Sequence, residues 1–257
     1  MKPIKINTKP TNLYEPCRGE IYHVFPIPMF HGQLDLCTRE IKRDIDVLID
    51  ECQRRYPDDH KRNYTTYFDH DLQEQTHQLP WFRSFSNQLK DSYIEYIDSQ
   101  FECVVDNLTR HDIHLFAWLN RYDAMTTHTT HDHVNSLVSG TYYVDMEGAQ
   151  PIMFQGPAQT ATFSHRTNNR PVHISEQLIA QGAPGTHNEV HFHGRNGDFL
   201  LWPSYLLHGV DRSYDVNDNY SRYGISFNLY HNLDLDFKDT GDQMSYAFKR
   251  RPDEKTI

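Results

Sequence analysis

The chain has 257 residues, with 37% apolar residues, 13% aromatic residues and a formal net charge of −10 at pH 7. This length and this supply of aromatic residues suit one domain with a sizeable core. The acidic balance argues against a nucleic-acid backbone as the partner. Four widely spaced cysteines, and no apolar run of signal-peptide or membrane-span length, predict a soluble cytoplasmic protein with free thiols and no membrane partner.

The first 110 residues predict a strand and two supporting helices. Residues 21–25 form the strand, and the prolines after it place it at a sheet edge. Apolar residues recur at helical spacing over 38–52, with Thr38 as the predicted N-cap, and again over 82–101. Both helices are expected to pack on the outside of the main sheet. A polar loop separates them, and its residues 69–71 are expected to lie in solvent.

From residue 113 onward the pattern changes to short strands separated by turn signals. The predicted strands are 113–119, 137–145, 151–155, 159–164, 171–177, 189–193, 198–202, 205–210 and 221–230. Helices followed by many antiparallel strands predict a mainly β fold, a double-stranded β-helix or jelly roll of two packed sheets. Its core would span 111–235, followed by a tail at 236–257. The polar segment 159–190 is longer than this fold needs and predicts a lid over the site.

The segment THDHVNSLVSGTYYV, residues 130–144, contains the first candidate site. His131 and His133 are two residues apart, and such residues project from the same face of an extended strand. The same parity, without a bulge, carries three more side chains inward: Ser139, Thr141 and Tyr143. Two imidazoles do not complete a metal site. The third candidate ligand is His208, which ends a short apolar run after GDFLLWPSYLL.

The strand 221–230, SRYGISFNLY, supplies a candidate binding residue. Its even face carries Arg222, Gly224, Ser226 and Asn228. A guanidinium on a buried strand is costly unless a carboxylate meets it, and no acidic residue shares this face. A bound ligand is therefore one candidate partner, and an arginine that reaches to solvent is the alternative.

In this order, the motifs HxH, SGTYYV, GDFLLWPSxLxHxV and RYGISFN resemble the 2-oxoglutarate and Fe(II)-dependent oxygenases common in phage and marine bacterial genomes. The resemblance extends to FAWLN at 116–120 and VFPIPM at 24–29, so it covers about half of the chain. Trp118 in FAWLN is expected to be a packing residue. The strand RYGIS is also similar to that of prolyl hydroxylases, where the arginine holds the distal carboxylate of 2-oxoglutarate.

The resemblance implies that the whole chain, 1–257, is one oxygenase domain that uses Fe(II), 2-oxoglutarate and O2. The implied iron ligands are His131, His133 and His208. The implied contacts of 2-oxoglutarate are Arg222, Tyr143, Ser226 and Asn120. Weaker candidates for substrate contacts are Arg166, Arg170 and Asn228. The implied reaction hydroxylates a C–H bond of an amino-acid, peptidyl or small-molecule substrate and releases succinate and CO2.

Several alternatives stay open at this level. Most oxygenases of the superfamily carry His-x-Asp, so a bulge could make Asp132 the ligand in place of His133. Three imidazoles also serve cupin dioxygenases that need no 2-oxoglutarate, and a non-enzymatic β-sandwich could hold a structural metal. The competing ligands are His187, Glu189, His191 and His193, which are expected to be lid or supporting groups. The oligomeric state is open, with a homodimer among the options.

Overall fold

The structure is a computed structural model that describes residues 20–24, 27–100, 108–123, 126–134, 136–146, 151–155, 189–210 and 221–231. The helices are α1 (Thr38–Arg55), α2 (His70–His77) and α3 (Phe82–Gln100). The strands are β1 (Glu20–Val24), β2 (Ile27–Gln33), β3 (Ile113–Asp123), β4 (His128–His131), β5 (Val138–Asp145), β6 (Ile152–Gln155), β7 (Glu189–Phe192), β8 (Asp198–Pro203), β9 (His208–Val210) and β10 (Ser221–His231).

The strands form two antiparallel sheets. The six-stranded sheet has the order β1-β2-β8-β5-β10-β3, and the four-stranded sheet has the order β4-β9-β6-β7. Strands that follow one another along the chain, such as β4 and β5 or β8 and β9, therefore alternate between the two sheets. This alternation is that of a double-stranded β-helix, and it confirms the predicted jelly roll.

The helices cover the outer face of the six-stranded sheet, as predicted. The buried residues of α1 recur every three or four positions: Ile41, Ile45, Leu48, Ile49 and Cys52. They pack with buried residues of α3 against strand residues that include Tyr142, Ile225 and Phe227. Burying each large apolar side chain stabilises the fold by about 1.5–3 kcal/mol. The residue at the N-cap of α1 is Cys37, one position before the predicted Thr38.

Alternation along β5 and β10 separates the packing face from the face that looks between the sheets. On β10, the helix-facing residues are Tyr223, Ile225, Phe227 and Leu229. Arg222, Gly224 and Ser226 lie on the opposite face and line a cavity, together with Thr141 and Tyr143 of β5. The predicted parity of both strands is therefore confirmed.

The segment between α1 and α3 is more ordered than the predicted polar loop, because it contains α2. Asp69, expected in solvent, is buried with 6% exposure, so this prediction was wrong. Its carboxylate accepts hydrogen bonds from the Leu72 backbone N–H (3.1 Å), from Arg55 (2.9 Å) and from the Tyr56 hydroxyl (3.0 Å). These three donors offset the cost of burying a charge.

His131 and His133 do not share a strand, contrary to the prediction. β4 ends at His131 and belongs to the four-stranded sheet, whereas β5 belongs to the six-stranded sheet. His133 lies in the connection between the two sheets, and its backbone N–H donates to the Ser204 carbonyl at 3.0 Å.

Several predicted features fall on parts of the chain that the structure does not describe. The strands predicted at 159–164 and 171–177, nearly all of the segment 159–190, and the tail 236–257 lie outside the described residues. Of the four cysteines, Cys37 and Cys52 are described, and both are free thiols. None of the described helices is both long enough and apolar enough to cross a membrane.

Candidate metal centre

Three histidines converge between the two sheets. β4 pairs with β9, and this pairing sets His131 directly opposite His208. His133 approaches from beyond the end of β4, and its Nε2 lies 3.1 Å from Nε2 of His131. The candidate ligand atoms of the three residues all lie within 4.8 Å of one another, and no other such group occurs among the described residues.

Each of the three imidazoles is oriented through its Nδ1 atom. Nδ1 of His131 lies 2.8 Å from the Thr129 carbonyl, and Nδ1 of His208 lies 2.8 Å from the Leu206 carbonyl. A carbonyl oxygen only accepts, so both Nδ1 atoms carry the proton and both Nε2 atoms present a lone pair. An oxygen that fixes the far nitrogen in this way is the usual support of a metal-binding histidine.

The third imidazole is supported by side chains of the six-stranded sheet. Nδ1 of His133 lies 2.6 Å from Oδ1 of Asn228 and 2.9 Å from Oγ of Ser139. The Ser139 hydroxyl in turn lies 3.0 Å from the Ser204 hydroxyl. Asn228, predicted as a weak candidate for substrate contact, therefore supports a ligand and also lines the outer side of the site.

The arrangement fits a divalent metal ion. With metal–nitrogen distances of about 2.0–2.1 Å, two neighbouring ligands on one ion have nitrogen atoms about 3 Å apart. The two Nε2 atoms of His131 and His133 lie at 3.1 Å. Without a cation, two lone pairs at this distance repel each other. Asp132 is exposed and does not belong to the converging group, so the geometry brings in His133 and leaves Asp132 outside.

Burial keeps two of these imidazoles, those of His133 and His208, in the form that binds metals. It is the main cause that lowers the pKa of His133 to about 4, and it lowers the pKa of His208 well below the ordinary value. Neighbouring imidazoles lower both values further. Both residues are therefore neutral at pH 7, which is the protonation state that a metal ion requires.

A fourth histidine, His128, was missed by sequence reasoning. Its ring centroid lies 4.3 Å from that of His131, and burial lowers its pKa to about 3. Strict alternation along β4 would send these two residues to opposite faces, because they are three positions apart. The register of β4 against β9 shifts between them, and this irregularity brings both side chains to the site.

An inner cavity of about 50 Å³ lies on one side of the histidines. Its lining contains Arg222, Tyr143 and Ser226, three of the residues predicted to contact 2-oxoglutarate. The guanidinium carbon of Arg222 lies 4.5 Å from the centre of the Tyr122 ring. Stacking on an aromatic ring leaves the edge of the guanidinium for hydrogen bonds.

The Tyr143 hydroxyl is ready to donate a hydrogen bond into the inner cavity. Tyr143 is 4% exposed, and its hydroxyl oxygen has no hydrogen-bond partner among the described residues. Burial raises its pKa, so the proton stays on at neutral pH. The ring packs against Gly194, where an added Cβ would come within 2.3 Å of the ring carbon Cδ2. A ligand bound in the inner cavity would supply the hydrogen-bond partner that this buried hydroxyl lacks among the described residues.

Asn120 lies where the inner cavity meets a second, outer cavity. It lines both, and its Nδ2 donates to the Ser226 hydroxyl at 3.0 Å. Its Oδ1 is buried and, within the described part of the chain, lacks a hydrogen-bond partner. All four predicted contacts of 2-oxoglutarate thus lie together beside the histidines.

The outer cavity has a volume of about 260 Å³ and is mainly aromatic. Its aromatic lining residues are Tyr64, Tyr67, Phe68, Trp118 and Tyr122. Trp118, expected to be packing alone, lines both cavities, and its ring centroid lies 5.8 Å from that of His133. Residues 64–68 were also missed, because their contact with β3 is made only by the tertiary fold.

The remaining candidates fall into two groups. Arg166, Arg170 and His187 lie outside the described residues. His191 and His193 are exposed and are not part of the converging group.

Comparison with known proteins agrees with this geometry. Residues 116–228 match the model of a family described as "Putative 2OG-Fe(II) oxygenase". The matched segment runs from β3 to β10 and includes the three histidines and Arg222. The resemblance noted in the sequence is thereby confirmed. Oxygenases of this family use Fe(II), with 2-oxoglutarate and O2 as co-substrates.

Several solved structures match the chain at low identity. A prolyl-4-hydroxylase from Pseudomonas putida has 12% identity and a TM-score of 0.41, over 79% of this chain and 88% of that chain. EctD from S. alaskensis with bound Fe has 13% identity and a TM-score of 0.45, over 80% and 73%. HygX from Streptomyces hygroscopicus with iron bound has 15% identity and a TM-score of 0.41, over 80% and 83%. No curated protein sequence matches the chain.

Proposed function

We propose that this oxygenase hydroxylates an unactivated C–H bond of an amino-acid, peptidyl or small-metabolite substrate and releases succinate and CO2. One observation carries the proposal. Three imidazoles whose Nε2 atoms converge lie beside an inner cavity that contains a half-buried arginine and a buried tyrosine hydroxyl with no hydrogen-bond partner among the described residues.

In this proposal the iron ligands are His131, His133 and His208. Three protein ligands leave coordination positions for 2-oxoglutarate and O2, and iron supplies the activation of O2. The protein contributes the placement of the ligands: two backbone carbonyls and Asn228 hold the three rings. Three neutral imidazoles leave the site one charge more positive than a set with a carboxylate, which favours the dianionic co-substrate.

Arg222 would bind the distal carboxylate of 2-oxoglutarate through its planar fork of donors. The Tyr143 hydroxyl would donate to the same carboxylate, and Ser226 would add a second hydroxyl. Asn120 stands between the cavities, where its amide can contact co-substrate or substrate. The buried lining of Trp118 and Tyr122 limits the access of water, which strengthens these charged contacts.

The experiment is an assay of purified, Fe(II)-loaded protein with 2-oxoglutarate and panels of amino acids, peptides and small metabolites. Without a substrate we expect slow formation of succinate, and with a true substrate we expect faster formation. If the assay uses isotopically labelled O2, the hydroxylated product should contain one labelled oxygen atom. Oxygen consumption with a substrate but without 2-oxoglutarate would instead favour a three-histidine dioxygenase of the cupin type. A structural metal site would need a fourth protein ligand, and the described residues offer three.

A further inference from the structure

The outer cavity differs in charge from the inner cavity. Apart from histidine and tyrosine, the one ionisable side chain among its described lining residues is Asp132. Neither lysine nor arginine is among these lining residues. Asp132 is exposed and follows directly after the end of β4.

Asp132 lines the outer cavity together with five aromatic side chains. The faces of tyrosine, tryptophan and phenylalanine rings carry negative electrostatic potential and attract cations within about 6 Å. Two arginine side chains lie over aromatic rings at the borders of the outer cavity. Arg222 lies 4.5 Å from the Tyr122 ring on the inner side, and Arg62, which pairs with Asp59 at 3.3 Å, lies 5.9 Å from the Phe68 ring.

From these observations we infer that the outer cavity recognises a positively charged ammonium group of the substrate. The aromatic rings and Asp132 bind this group, and an aliphatic chain extends from it toward His131 and His133. The inference rests on the proposed function, because it names the substrate class of that same site. A lining that combined apolar rings with lysine or arginine would have favoured an anionic substrate.

The size of the cavity limits the substrate. A volume of about 260 Å³ falls below the range of about 300–1,000 Å³ that is usual for drug-sized ligands. It suits one amino-acid side chain or a small amine. Phe68 is 39% exposed and Val134 is 58% exposed, and both line the cavity, so its mouth is open to solvent. The ammonium group can therefore come from a free amine or from a lysine side chain of a protein.

The test measures binding without turnover. Fe(II)-loaded protein with 2-oxoglutarate is kept free of O2 and titrated by calorimetry with choline and with 3,3-dimethyl-1-butanol, its neutral isostere. We expect choline to bind at least about tenfold more tightly. Equal affinities, or no measurable binding of choline, would overturn the inference. Binding of 2-oxoglutarate is measured in the same samples, so a failure of the proposed function is recognised separately.

Two variants assign the selectivity to named residues. Asp132→Asn should weaken choline binding about two- to fivefold and leave the neutral isostere unchanged. Phe68→Leu keeps an apolar side chain at an exposed position, and it should also weaken only the cation, by about two- to fivefold. Asp71→Asn, an exposed aspartate on α2, is the matched control and should change neither affinity. Equal losses for both probes in the two cavity variants would contradict recognition of charge.

The source of the ammonium group is then determined with two further probes, free lysine and a lysine-containing peptide. Tighter binding of free lysine indicates a small-molecule substrate, and tighter binding of the peptide indicates a protein substrate. Equal affinities would mean that the cavity recognises the ammonium end alone.

Discussion

The inner and outer cavities share the histidines but differ in their construction. The inner cavity is about 50 Å³ in volume, carries Arg222 and hydroxyl groups, and is built largely by β3, β5 and β10. The outer cavity is about 260 Å³, aromatic and acidic, and residues 64–68 and 132–134 form much of its wall. Paired strands hold side chains more rigidly than connections do. The side that we propose for the co-substrate is therefore built on the sheet, and the side that we propose for substrate selection is built on connecting segments.

The largest expected effect comes from the histidines that the two cavities share. Replacing His131, His133 or His208 with alanine should abolish stoichiometric Fe(II) binding and reduce succinate formation by about 1,000-fold or more, because two ligands hold the ion poorly. Metal analysis of purified protein and the succinate assay measure these losses.

His191→Ala and Asp132→Ala serve as controls for this prediction, and both should retain iron. If His133→Ala kept iron and Asp132→Ala lost it, the carboxylate would be the ligand. Asp132 would then belong to the metal centre that the two cavities share, and not to the outer cavity alone.

Arg222→Ala acts on the inner cavity alone. Loss of a charge-assisted, two-point contact should raise the KM for 2-oxoglutarate by about 30- to 1,000-fold, equivalent to about 2–4 kcal/mol, with iron content unchanged. Steady-state kinetics with varied 2-oxoglutarate measures this change. The matched control is Arg83→Ala, which removes an exposed guanidinium from α3. An unchanged KM in Arg222→Ala would exclude this residue from co-substrate binding.

Asn228→Leu tests the support of the shared histidines. The side chain of Asn228 holds Nδ1 of His133 at 2.6 Å, and loss of such a supporting contact weakens metal binding by about 10- to 100-fold. Competition with a chelator measures the Fe(II) affinity. Asn228→Asp keeps an acceptor at this position and should restore most of the affinity. Equal Fe(II) affinities in the wild type and Asn228→Leu would show that Ser139 orients the ring by itself.

The smallest effect is expected from Tyr143→Phe, which removes a single oxygen atom from the lining of the inner cavity. Removal of the hydroxyl should raise the KM for 2-oxoglutarate by about 3- to 30-fold, the value of one hydrogen bond to a charged group. The ring stays packed against Gly194, so the thermal unfolding temperature should change little. Tyr230→Phe is the control and should leave the KM unchanged, because Tyr230 stacks on His114 near the end of β10 and is not among the lining residues of either cavity. If Tyr143→Phe also left the KM for 2-oxoglutarate unchanged, the Tyr143 hydroxyl would not contact 2-oxoglutarate.

The difference between the cavities also explains which parts of the site were predictable. Alternation along a strand is a local property with a period of two residues. The sequence was therefore sufficient to place Tyr143 on the inner face of β5 and Arg222 and Ser226 on the inner face of β10. The order of the motifs, through the family resemblance, further pointed to His131, His133 and His208 as one group, and the structure brings their candidate ligand atoms within 4.8 Å of one another.

Tertiary structure decided the features that break local rules. The irregular pairing of β4 with β9 carries His128 to the same side as His131, and no pattern in the sequence marks such a shift. Asp69 stands in a polar stretch, yet Arg55 and Tyr56 bury its carboxylate. The cost of burial depends on partners that are distant in sequence, so composition alone could not indicate it.

The outer cavity also depends on contacts between segments that are distant in the sequence. The chain just before Phe68 lies against β3 because the Thr66 hydroxyl accepts the Leu119 N–H at 3.0 Å and the Tyr64 carbonyl accepts the Arg121 N–H at 3.0 Å. These contacts turn Tyr67 toward Trp118, with ring centroids 5.0 Å apart. The sequence by itself determined which side chains face between the sheets, since the period of a strand is local. Only the packing of a connection more than 50 residues away along the chain decided that Trp118 forms the wall of a cavity.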